Sequence, residues 1–136
     1  MLFRARDGTI FTTVSADPFM LEGRSRTGGR SFPTLGRGHF PMYANAGVTT
    51  ASGAMVLGGR FPGLSLQVSW DSGDHWRAYT IDAGIAANGQ LLEVEPDVVL
   101  FVYGSWTGGP DKNLTGLHSQ RFRVHPTPEL GLEVVV

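Results

Sequence analysis

Cysteine is absent from the 136 residues, which excludes disulfides and thiolate metal centres and leaves the redox compartment open. Lysine is nearly absent too, with Lys112 standing against ten arginines. The bias of a GC-rich coding sequence accounts for this; the functional alternative is that guanidinium forks grip carboxylates bidentately. No apolar run approaches the roughly 20 residues of a membrane span. No apolar leader precedes the strand-like opening MLFRARDGTIF, so a cytoplasmic location is the default expectation. At a net charge of −1 there is no global field to attract nucleic acid or an anionic membrane surface, and neither is expected as a partner. No metal or other cofactor is expected.

What is present suits one all-β domain. Hydrophobic residues make up 41% of the chain, enough for a core. The 19 glycines and 8 prolines are scattered rather than gathered in a low-complexity tract, as many short strands and tight turns require.

Residues 69–76 read SWDSGDHW. Ahead of them Leu64-Ser65-Leu66-Gln67-Val68 alternates apolar and polar, and Arg77-Ala78-Tyr79-Thr80-Ile81 alternates behind, so two strands flank a turn. Within the turn Asp71 is placed to accept backbone N–H groups that follow it. Gly73 can take a positive φ, Ser69 can bond locally to backbone, and Trp76 can fold under the turn while its N–H meets a carbonyl. The stretch reads as a rigid clamp, and nothing in it is reactive.

The chain also repeats. Asp7-Gly8, Ser52-Gly53 and Pro96-Asp97 are each a two-residue turn signal leading into a β-prone run, spaced 45 and then 44 residues apart. Residues 25–32, SRTGGRSF, lie 44 before the clamp: Ser25 matches Ser69, Gly29 matches Gly73, Phe32 stands for Trp76, and Thr27 replaces the aspartate. The third copy turns instead through His125-Pro126-Thr127-Pro128 and carries a longer insertion at 105–116. Three units follow, residues 1–38, 39–83 and 84–136, each of four strands. Units of this length and strand count have the form of propeller blades.

The pattern Ser-x-Asp-x-Gly-x-x-Trp resembles the Asp-box, the bacterial neuraminidase repeat of sialidases and related β-propellers. GRGHFPMYANAGVTTASGAMVLGGRFPGLSLQVSWDSGDHW resembles a blade of those glycoside hydrolases, and GQLLEVEPDVVLFVYGSW followed by GLHSQRFRV resembles their closing blade. The likeness covers roughly residues 39–125. It implies half of a six-bladed sialidase-like propeller. Members of that family hydrolyse terminal sialic acids with three arginines on the substrate carboxylate, a tyrosine nucleophile paired with a glutamate, and an aspartate acid/base. By that likeness Arg60 binds an acidic sugar, and Glu93 and Tyr103 stand where the family's catalytic couple acts. His39, ahead of Phe40-Pro41, stands where it could line a channel. Ser69, Asp71, Gly73 and Trp76 are the structural Asp-box.

This sequence departs from the pattern at the chemistry, because neither the acid/base aspartate nor a full arginine triad has a counterpart. The expectation is therefore a glycan-binding partial propeller or a degenerate glycosidase. The alternative is a non-catalytic interaction module or the relic of a larger Asp-box enzyme. Ordinary readings stand beside each candidate: Arg60 as an inter-blade salt-bridge arginine, Glu93 and Tyr103 as strand residues, His39 as a loop histidine. The cluster Arg24, Arg26 and Arg30 could hold phosphate but reads as solvated. Asn113-Leu114-Thr115 is a sequon whose use depends on compartment. Three blades leave two faces open, so a homodimer completing six blades is expected.

Overall fold

A computed structural model describes residues 1–16, 19–37, 43–60, 63–83, 88–106 and 114–136. Among them there is no helix, and twelve strands form three four-stranded sheets. β1 (Leu2–Arg4), β2 (Ile10–Ala16), β3 (Phe19–Ser25) and β4 (Thr34–Arg37) make the first sheet. β5 (Tyr43–Thr49), β6 (Met55–Arg60), β7 (Leu64–Ser69) and β8 (Arg77–Asp82) make the second. β9 (Gly89–Glu95), β10 (Val98–Trp106), β11 (Leu114–Val124) and β12 (Leu132–Val135) make the third. Every sheet is an antiparallel meander with its strands in chain order.

The three first hairpins turn in the same way. Gly8 (φ +87°), Gly53 (φ +93°) and Asp97 (φ +59°) all occupy the left-handed region. The first two are glycine, which enters that region without steric cost, and the third is aspartate, one of the few side chains that tolerates it. The 45- and 44-residue spacing is thus a repeated backbone conformation.

The second sheet lies between the other two. Successive residues of a strand point to opposite faces, and β6 divides accordingly: Met55 and Leu57 pack on Ala5, Phe11 and Met20 of the first sheet. Val56, with Leu64, Leu66 and Val68 of β7, packs on Val99, Phe101, Phe122 and Val124 of the third. β6 therefore reads as a continuous apolar run rather than an alternating one, since both its faces are covered.

The two seams differ in chemistry. Between the second and third sheets the filling is aliphatic and aromatic. On the opposite face of β7, Ser65, Gln67 and Ser69 are buried, and across from them the first sheet buries Thr13 and Glu22. Burying a carboxylate requires a partner. Arg24 supplies it, with Nε 3.0 Å from Glu22 Oε1.

The outer faces of the two end sheets carry exposed apolar side chains. Leu2, Val14 and Leu35 are exposed on the first sheet and Leu92, Val94 and Leu117 on the third. No helix of the described residues is long and apolar enough to cross a membrane.

Candidate functional site

The clamp is built from its first residue. Ser69 ends β7 fully buried, accepts the N–H of Gly73 at 2.8 Å and donates its own hydroxyl to Asp71 Oδ1 at 2.8 Å. Asp71 Oδ1 also accepts the N–H of His75 at 2.9 Å, and Oδ2 lies 2.6 Å from His75 Nδ1. Partial burial opposes ionisation of Asp71, but the His75 amide, the His75 ring and the Ser69 hydroxyl outweigh it and hold the carboxyl below its ordinary 3.8. Gly73 has φ +94°, and its carbonyl accepts the indole N–H of Trp76 at 3.0 Å.

The first sheet carries the same device in neutral form. Ser25 Oγ accepts the N–H of Gly29 at 3.0 Å, and Thr27 Oγ1 accepts the N–H of Ser31 at 3.1 Å. Thr27 thus does with a hydroxyl what Asp71 does with a carboxylate, at the same four-residue reach. In the third sheet, residues 125–131 turn differently, with the N–H of His125 bonded to Gly131 O at 3.0 Å.

Around the clamp all three sheets are joined. Arg24 of β3 places Nη1 2.6 Å from Asp74 Oδ1 and donates Nη2 to the carbonyl of Gly73. The Trp76 ring packs on Phe11 at 5.7 Å. On the other side Trp70 Nε1 donates to His125 O at 2.7 Å and Arg77 Nη1 to Pro128 O at 2.6 Å. A cavity of about 230 Å³ opens there, walled by Trp70, Asp71, His75, Trp76, Arg77 and Pro128. Both indole N–H groups, the carboxylate and the guanidinium are turned onto partners within the chain, so the cavity's polar groups serve the joint.

The arginine cluster divides. Arg26 and Arg30 are exposed, whereas Arg24 is drawn into the seam by Glu22 and Asp74, so the expectation that all three are solvated fails for Arg24. The buried carboxylate of Glu22 is the physical reason.

Of the sequence candidates, Arg60 and Tyr103 lie on strands that face each other across one seam. In the seam between the second and third sheets, a Cβ on Gly58 would lie 3.0 Å from the Phe101 ring. Two residues further along each strand, on the same facing surfaces, stand Arg60 and Tyr103. Arg60 is exposed at the end of β6. Tyr103 is half-buried, 5.3 Å from Phe101, and is stacked on His118 at 5.6 Å with the rings 23° apart. His118 was not singled out from sequence. It reaches Tyr103 because β11 pairs with β10 in a register set across the insertion, a spacing the residues between the strands do not reveal.

Glu93 lies elsewhere. It pairs with Val99, four ladder positions from Tyr103, about 13 Å along the strand at the usual rise per residue. Its Oε1 accepts the N–H of Ala51 at 2.7 Å and of Asp97 at 2.8 Å, bracing the hairpin turns of two sheets. His39 lies outside the described residues, as does Asn113. Among the described residues no three His, Cys, Asp or Glu side chains gather as metal ligands.

Searches of protein-family models, curated proteins and solved structures find no match to the chain.

Proposed function

We propose that the three sheets are blades of a sialidase-like partial β-propeller that binds an acidic carbohydrate and does not cleave it. The observation that carries this reading is the stack of Tyr103 on His118, on the face of the third sheet turned to the second, whose β6 ends at the exposed Arg60. A guanidinium can take a sugar carboxylate bidentately, and stacked aromatic rings offer an apolar surface to the face of a pyranose.

Two facts favour binding over hydrolysis. One oxygen of Glu93 is engaged by two backbone amides, and Tyr103 stands four ladder positions away, so Glu93 and Tyr103 do not form the family's couple. General acid assistance is worth about 10²–10⁴ in rate, and the sequence has no counterpart of the family's acid/base aspartate.

A glycan array followed by calorimetry tests the reading. Binding should be confined to glycans ending in an acidic sugar and should fall at least about tenfold in Arg60→Ala, the loss of one charge-assisted contact. A fluorogenic sialoside should not turn over. Release of the fluorophore, abolished in Tyr103→Phe, would establish the degenerate-hydrolase alternative; an array without acidic glycans would remove the carbohydrate reading.

A further inference from the structure

Within the chain each sheet turns a forward face to the next and a backward face to the one before. At the forward face of the first sheet, Arg6 stands two residues before the left-handed turn residue. It reaches the equivalent turn of the second sheet, donating Nη1 to Ser52 O at 2.8 Å and lying over Gly53. At backward faces the residue four before the turn reaches back: Thr49 Oγ1 donates to Arg4 O at 2.6 Å, and Glu93 Oε1 accepts from Ala51 N at 2.7 Å.

The same two positions at the open ends hold opposite charges. Two before the turn in the third sheet is Glu95, exposed on the outward face beside Arg121, with which it forms an ion pair. Four before the turn in the first sheet is Arg4, exposed and on the outward face with Ile10. At these positions Glu95 is an acid already held by Arg121, and Arg4 is a base. Behind them Leu92, Val94 and Leu117 on one face match Leu2, Val14 and Leu35 on the other.

We infer that two copies of this chain dock head to tail, third sheet on the partner's first, with Glu95 against Arg4, and that the contact formed at both ends closes six sheets into one ring. The inference rests on reading the sheets as blades. A head-to-tail contact either closes or runs on into a filament; two identical contacts bury all four outer faces and leave none to extend.

Light scattering and sedimentation of the chain test this, with Arg4→Glu, Glu95→Arg and the double swap. The chain should have twice the 14.7 kDa of a single copy. Each single swap puts like charges face to face and should weaken pairing by about tenfold or more, and the double swap should restore the part of that loss due to the contact between positions 4 and 95, the Glu95–Arg121 pair staying broken. Both residues are exposed, and circular dichroism of each variant reports its folding. A single chain at every concentration, an open-ended polymer, or pairing indifferent to the single swaps overturns the proposal. Glycan binding measured on the same samples separates the two readings. A single chain that still binds through Arg60 loses only the pairing, and a pair that binds no glycan loses only the carbohydrate.

Discussion

Asp97 in the first turn of the third sheet accepts the backbone N–H of Ser52, in the equivalent turn of the second, at 2.9 Å. The carbonyl of Ser52 in turn accepts Arg6 from the first sheet, so one residue of the middle turn donates to one neighbour and accepts from the other. The three turns form a line of side chain-to-backbone contacts across the sheets, and its members are 45 and 46 residues apart in the chain.

Breaking that line should cost stability. Asp97→Ala removes the acceptor for Ser52 N–H and places alanine at a left-handed φ, and should destabilise by about 2–3 kcal/mol in urea unfolding. Asp97→Asn keeps an acceptor and tolerates the conformation, so its loss should be smaller, about 1 kcal/mol.

Acid should unfold the chain through the same groups. For Asp97, partial burial opposes ionisation, but bonds from the Ser52 amide and hydroxyl and from Thr50 outweigh it, so its carboxyl is held below 3.8, as is that of Asp71. A carboxyl whose value in the folded chain is depressed adds stability above its unfolded value and loses it as pH falls through the folded value. Melting temperature should therefore be flat near neutrality and drop as pH falls below about 4, where carboxylates titrate. The drop should be shallower in the Asp71→Asn, Asp97→Asn double variant.

The neutral clamp can be improved. Thr27 accepts Ser31 N–H with a hydroxyl where Asp71 uses a carboxylate. Thr27→Asp should make that bond charge-assisted and raise stability by about 0.5–1 kcal/mol, read as a shift in the unfolding midpoint. Asp71→Ala should lower it by about 1–2 kcal/mol.

Arg24 and Glu22 should behave as a unit. Arg24→Met leaves the nearly buried Glu22 carboxylate without its cation and should cost about 3 kcal/mol. Adding Glu22→Gln should return part of that loss. A double-mutant cycle would read the coupling, and additive losses would contradict the contact.

The seam beside Arg60 is tightly filled. Gly58→Ala brings a methyl within 3.0 Å of the Phe101 ring and 3.2 Å of Leu91, which should destabilise by about 1–3 kcal/mol. Phe101→Leu in the same chain should relieve part of it.

The all-β class, the repeat and both clamps were legible because each rests on local chemistry. Alternation marks β7, the serine, aspartate and glycine of 69–73 mark their turn, and Asp7-Gly8, Ser52-Gly53 and Pro96-Asp97 mark the hairpins. Arg24 was harder to read: its charge is evident, but Asp74 and Gly73, which hold it, lie 50 and 49 residues away. Glu93 was read as an acidic strand residue, and its bond to Ala51 spans 42 residues. His118 reaches Tyr103 through a hairpin register that no turn motif announces.

By itself the sequence determined where the chain turns and which strands pair with their neighbours, since those choices depend on the φ of a few residues and on a period of two. Only the tertiary structure decided that the second sheet is covered on both faces, that Glu93 and Asp97 brace the turns of neighbouring sheets, and that Arg60 and Tyr103 lie on strands facing across one seam. Those outcomes depend on how whole sheets stack, and stacking is set by apolar area and by buried charge finding its partner across tens of residues, which no local pattern contains.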